Sequence, residues 1–137
     1  MAALTGLRVL DLTQWEAGTS CTQALAWLGA EVVKVEPPDG GDPGRAVARD
    51  MWEDSEYFKN WNSNKRSVVL NLREARGREL LLAMVPRFDV LVENFGPGVI
   101  EKLDLGYDTI RAVHPGIIYA QIKGFGLTGP YASYKCF

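Results

Sequence analysis

One histidine, His114, and two cysteines, Cys21 and Cys136, stand in a chain of 137 residues. A single imidazole excludes a histidine-rich metal site and most catalytic schemes built on a histidine base. The cysteines lie far apart in no metal-ligand spacing, so neither a disulfide scaffold nor a metal site is expected, and a reduced, cytoplasmic setting fits best. No apolar run reaches the ~20 residues that span a bilayer, so no membrane partner is expected. The opening Met-Ala-Ala-Leu-Thr-Gly has no basic n-region and no apolar h-region, and reads as no secretory signal. Net charge is also small. Fifteen Lys and Arg stand against 17 Asp and Glu, a formal balance of -2. No global basic field is left to attract nucleic acid, and cations matter only where several converge. Repeats and low-complexity tracts are absent.

What is present is the material of one α/β domain. Hydrophobic residues make up 47% of the chain, enough for a core at this length. Five short apolar runs stand out, at residues 7–12, 31–35, 67–70, 89–92 and 116–122. Four are rich in Val and Ile and read as strands buried on both faces, as in a parallel sheet; the run at 67–70 is the weakest. Helical patterns fall between them. Thr19 or Ser20 can cap a helix to about Leu28, with Gly29 at its stop and Leu25 and Leu28 on one face. A second helix is predicted from Glu74 to Val85, with Leu80, Leu81 and Met84 inward and Gly77 weakening it slightly. A third fits residues 107–113 and ends at His114-Pro115. Alternating strands and helices imply a doubly wound, mostly parallel sheet with right-handed crossovers. Residues 36–60, rich in Gly and Pro at their start, read as a long loop after a strand end, where open α/β sheets bind ligands.

Four segments could carry chemistry. The first turn, Thr13-Gln14-Trp15-Glu16-Ala17-Gly18, sits where a dinucleotide fold has G-x-G-x-x-G but lacks that pattern, which weighs against NAD; Glu36 then simply ends a strand. Residues 62–67, Asn-Ser-Asn-Lys-Arg-Ser, place two cations in a polar turn. With Arg73, Lys102, Lys123 and Lys135 near other element ends, they are candidates for a ligand with several phosphates; singly, each reads as a solvated surface charge. Glu93-Asn94-Phe95-Gly96-Pro97-Gly98 follows a buried strand and offers a carboxamide and an aromatic face, or merely a turn. Lys123-Gly124-Phe125-Gly126 is a glycine-rich loop that permits close backbone approach. Cys136, with no histidine nearby, reads as an inert thiol.

The ordered strings reach further. Residues 6–13 (Gly-Leu-Arg-Val-Leu-Asp-Leu-Thr), Ser20-Cys21-Thr22-Gln23 and residues 25–36 resemble the opening of the class III CoA-transferases. Residues 62–67, 89–95 with Pro97-Gly98, and 122–126 with Thr128-Gly129-Pro130-Tyr131 follow in that family's order. The nearest type is formyl-CoA:oxalate CoA-transferase; α-methylacyl-CoA racemase shares the same N-terminal half. The resemblance implies a Rossmann-like fold in which residues 1–137 are the N-terminal part of a CoA-binding large domain, with the small domain and C-terminal return lying outside. It also implies an interlocked homodimer, coenzyme A as acyl carrier, no metal, and an acyl-CoA and a small carboxylic acid as partners. Carried over by position, the CoA contacts are Gln14, Trp15, Glu16, Ala17, Pro37, Leu70, Asn71, Leu72, Arg73, Asn94, Phe95, Gly96, Lys102, Tyr134, Lys135, Cys136 and Phe137, with Lys123 beside them. The formyl-CoA type has Arg where Pro37 stands, Gln where Glu16 stands and Tyr where Phe137 stands. Its nucleophile is an Asp carboxylate, which the resemblance places beyond Phe137 and which no acid of this chain matches. The alternatives left open are a racemase-like branch and a non-catalytic CoA-binding module.

Overall fold

The computed structural model describes residues 1–48 and 55–136. In chain order it contains β1 (Arg8–Asp11), α1 (Ala17–Trp27), β2 (Glu31–Glu36), α2 (Glu56–Asn62) and β3 (Arg66–Val69). There follow α3 (Ala75–Met84), β4 (Val90–Glu93), α4 (Val99–Lys102), α5 (Tyr107–Val113) and β5 (Ile118–Gln121), with 3-10 turns at Pro43–Ala46 and Val85–Arg87. The five strands form one sheet in the order β3-β2-β1-β4-β5, and every neighbouring pair is parallel.

Alternation along the strands sorts side chains onto two faces. On one, Val9, Val32, Val90 and Val92 pack with Ala26 of α1 and with Ala30. On the other, Leu10, Leu12, Val35 and Leu91 pack with Leu81 of α3, Ile100 of α4 and Ile110 of α5. Helices therefore cover both faces, which makes the sheet doubly wound, as the strand spacing predicts. The order reverses at β1, whose two neighbours are reached in opposite directions through the chain. Ligands of open parallel sheets bind beyond the strand carboxyl ends at such a point.

Several details depart from the sequence reading. Helix α1 begins at Ala17, before the expected Thr19 or Ser20 cap, and Glu16 occupies the cap position. Its inward face is Gly18, Thr19, Thr22, Gln23 and Ala26, whereas Leu28 is half exposed. The hydroxyls explain this: Thr22 donates to Asp11 (2.7 Å) and Thr19 to the carbonyls of Trp15 and Glu16, so both are satisfied where aliphatic side chains were expected. In α3, Leu81 is fully buried but Leu80 points outward. Strand β5 was expected to be buried on both faces; it is an edge strand, and Ile118 is exposed. Residues 36–60 are not one loop, because α2 starts at Glu56, capped by Ser55. Helix α4 was not foreseen; four residues are too short for a periodic pattern.

Gly77 is not a weak point of α3. A Cβ there would lie 1.9 Å from the Asn71 carbonyl oxygen. The glycine lets the helix seat directly on the loop that follows β3.

Candidate ligand site at the carboxyl ends of the strands

Every strand of a parallel sheet delivers its following loop to one rim. The loops after β1, β2, β3, β4 and β5 carry residues 14–17, Pro37, residues 70–73, residues 94–96 and Lys123 respectively. Contacts stitch these loops together along the rim. Leu70 N–H donates to the Glu36 carbonyl (3.0 Å), next to Pro37. Asp42 N–H donates to the Glu36 carboxylate (2.9 Å), and Trp15 N–H donates to Asp42 Oδ1 (3.2 Å). Asn94 clamps the backbone of Gln14: its Oδ1 accepts from Gln14 N–H (2.8 Å) and its Nδ2 donates to the Gln14 carbonyl (2.7 Å). Lys123 Nζ donates to the Phe95 carbonyl (2.6 Å). Gly124 lies directly against Cys136, bringing residues 134–136 to the end of β5. Gly18 belongs to the same construction, because a Cβ on it would meet the Thr13 side chain at 2.5 Å and Asn94 Cγ at 3.0 Å. Its role is close packing of helix on turn rather than approach to a pyrophosphate.

Beneath the rim lies a set of buried ion pairs. Lys65 Nζ sits 3.1 Å from Asp11 and also donates to Thr22, Asn62 and the Thr19 carbonyl, with its side chain 2% exposed. Burial lowers its pKa, and the Asp11 carboxylate works in the opposite direction. Lys34 Nζ is 2.8 Å from Asp42 Oδ2 and donates to the Thr13 carbonyl (2.5 Å). The Glu36 carboxylate accepts from Arg45 Nε (2.6 Å) and Arg45 Nη2 (2.7 Å), and the guanidinium lies over the Phe58 ring. Burial alone would raise the Glu36 pKa; hydrogen bonds from Arg45, Ser67 and the Asp42 backbone outweigh it and hold the value at about 2. On the far side, Glu93 pairs with Lys123 at 2.7 Å. Burial, then the Glu93 and Glu101 carboxylates, push the Tyr119 hydroxyl upward.

This sorts the cations proposed from sequence. Lys65 does not line the rim: its ammonium is enclosed between β1, α1 and α2, and it corrects the expectation of a solvent-facing phosphate ligand. Arg66 pairs with Glu31 (3.0 Å), the first residue of β2, at the opposite end of the sheet. Lys123 is committed to Glu93 and Phe95. Arg73 is exposed after β3, and its side chain has no ion pair or hydrogen bond among the described residues. The same holds for Lys102, at the end of α4, and for exposed Lys135. Trp15 and Tyr134 are half exposed, Glu16 and Ala17 are exposed, and residues 70–72 and 94–96 are partly buried. Phe137 lies outside the described residues.

A depression of about 240 Å³ opens on this side, lined by Pro97, Gly98, Gln121, Lys123, Phe125 and Leu127 among others. A larger one, about 410 Å³, lies at the strand amino ends among Arg8, Glu31, Arg87, Asp89 and His114, and none of the expected coenzyme A contacts lines it. Among the described residues no group of three or more His, Cys, Asp or Glu could hold a metal ion, and no helix is long and apolar enough to cross a membrane. Sequence reasoning missed Asp42, Lys34 and Glu36 as parts of the rim. The usable signal was two charged residues among the valines of the second half of β2 and a third shortly after it.

Comparison with known proteins fits this geometry. The sequence pattern of CoA-transferase family III matches residues 4–137. The chain is 51% identical over 136 residues to the formyl-CoA:oxalate CoA-transferase of Streptomyces avermitilis, and 47% identical to that of Rhodopseudomonas palustris. These alignments cover 98% of this chain but 33% and 32% of the relatives, so the chain spans about a third of their length. Among solved structures, a hypothetical protein of Mycobacterium tuberculosis superposes with a TM-score of 0.91 at 39% identity, covering 100% of this chain and 37% of that one. A CAIB/BAIF family protein of Brucella suis gives 0.90 at 40% identity, covering 98% and 36%. The chain belongs to CoA-transferase family III.

Proposed function

We propose that residues 1–137 form the coenzyme-A-binding N-terminal part of an acyl-CoA:carboxylate CoA-transferase, a cytoplasmic enzyme that acts as an interlocked homodimer. The observation that carries this reading is the family match across residues 4–137, with formyl-CoA:oxalate CoA-transferases about half identical to the chain among its relatives. The rim supports it. Arg73 and Lys102 are cations with no partner among the described residues, suited to the phosphates of CoA. The turn at residues 14–17 and the loop at residues 94–96 end on the same rim, after β1 and β4.

The reaction that this family membership suggests is covalent. An Asp carboxylate attacks the acyl carbon of the donor and expels CoA thiolate, leaving a mixed anhydride. The thiolate then attacks the aspartyl carbonyl carbon, releasing the donor acid and leaving an enzyme–CoA thioester. The acceptor acid takes up the CoA through the same steps in reverse, and the Asp carboxylate is regenerated. Two easier steps replace one difficult displacement. The acids along the rim do not supply that nucleophile. Asp11, Glu36, Asp42 and Glu93 are buried and committed to cations or backbone. Glu16 is exposed on the turn, but binding without a placed nucleophile does not lower the barrier. We therefore expect residues 1–137 alone to bind CoA and to transfer nothing.

The test is titration of the purified chain with CoA, followed by incubation with labelled acyl-CoA and a panel of dicarboxylic acids. Saturable binding is expected, weakened by about 1–3 kcal/mol in Arg73→Ala, with no exchanged thioester and no CoA mass on the protein. Transfer that survives Glu16→Ala would show that the nucleophile is misplaced; equal affinity of Arg73→Ala and wild type would remove Arg73 from the site.

A further inference from the structure

We infer that Asp42 is a positioning residue for the coenzyme site, its carboxylate fixing the turn at residues 14–17 through the Trp15 amide; this rests on the coenzyme A reading above. Trp15 has φ +63, a left-handed backbone that bulky side chains avoid. Such a conformation persists only where its surroundings over-determine it. Here each peptide of the turn is held by a side chain from another element. The Thr13 carbonyl accepts from Lys34. Asn94 holds both polar groups of Gln14. The Trp15 N–H is held by Asp42 and its carbonyl by Thr19. The turn is thus gripped from β4 on one side and from the loop after β2 on the other.

Asp42 is built for this task and for no direct contact with ligand. It is 1% exposed. Its Oδ1 accepts from Trp15 N–H and from Gly44 N–H (2.8 Å), and its Oδ2 faces Lys34, itself 1% exposed. The ammonium compensates the buried carboxylate, leaving Oδ1 free to serve two amides. Its own N–H is anchored on Glu36, so the carboxylate cannot drift with the loop. Residues 37–44 after β2 therefore form a strap that sets the first turn.

The test compares two variants that both remove the ion pair and differ only in the acceptor. Lys34→Met with Asp42→Asn keeps an oxygen for Trp15 N–H; Lys34→Met with Asp42→Leu keeps the volume but no acceptor. The first, which also loses the Lys34 donor to the Thr13 carbonyl, sets the reference affinity and should keep a slowly exchanging Trp15 amide. The second should raise Kd about tenfold and speed exchange at Trp15 and Glu16 by a similar factor, while β1 and β2 stay protected. Equal affinities in the two, or exchange raised throughout β1 and β2, would overturn the positioning role in favour of a merely structural pair. Should the leucine variant not fold, the wild-type protein decides: its Trp15 amide must exchange at least about tenfold more slowly than that of exposed Asp39, and equal rates overturn the proposal. If wild type binds no CoA, the coenzyme reading fails, whereas the exchange comparison still judges Asp42.

Discussion

Replacing Lys65 with methionine is expected to lower folding stability by about 3–5 kcal/mol, because it leaves the Asp11 carboxylate buried without its cation. Asp11 is fully buried at the end of β1, and Lys65 is its ammonium partner at 3.1 Å. Thr13 and Thr22 still donate to it, which softens the loss but does not neutralise the charge. Lys65 also ties together the Thr19 carbonyl of α1 and Asn62 of α2, so its loss separates the two helices on that face of the sheet. Urea unfolding of Lys65→Met measures the effect. Adding Asp11→Asn should restore most of the loss, since an amide still accepts from the threonines and needs no cation. A single variant within about 1 kcal/mol of wild type would mean that the pair is solvated after all.

The second large effect is steric. Gly77→Ala should cost on the order of 3 kcal/mol and weaken CoA binding as well. Helix propensity alone would make alanine better than glycine by about 1 kcal/mol. The new Cβ, however, would stand 1.9 Å from the Asn71 carbonyl oxygen and 2.6 Å from its carbon. These are backbone atoms, so no rotamer change relieves the contact. Either α3 lifts from the sheet, opening the core around Leu81, or the loop at residues 70–73 moves and takes Arg73 with it. Thermal unfolding and CoA titration of the same variant read both consequences. A stabilised protein with unchanged affinity would show that the helix is not seated on this loop.

These two residues also show where the sequence was legible. Strands rich in valine and leucine announce themselves, because burial on both faces favours such side chains; β1, β2 and β4 show this, with buried charges at Asp11, Lys34, Glu36 and Glu93 among them. Edge strands do not, since the same residues are then half exposed, as Ile118 and Val69 are. Lys65 illustrates a deeper limit. A lysine in the string Asn-Ser-Asn-Lys-Arg-Ser reads identically whether its ammonium meets water or a carboxylate 54 positions earlier. The Asn94 clamp on Gln14 spans 80 positions and leaves no local trace. Gly77 was read through helix propensity, which describes an isolated helix and is overruled by what the helix rests on. The rim itself was foreseeable in outline, because a parallel sheet collects its loops at one end whatever their sequence. The ordered strings shared with the family filled in which loop residues to watch.

Whether coenzyme A binds at the strand carboxyl ends is read by amide hydrogen exchange of the wild-type chain with and without CoA. Slower exchange is expected at residues 14–17, 70–73 and 94–96, at the carboxyl ends of the strands, with no change around Arg8, Arg87 and His114 at the other end. Protection confined to that opposite end, or none at saturating CoA, would contradict binding at the carboxyl ends.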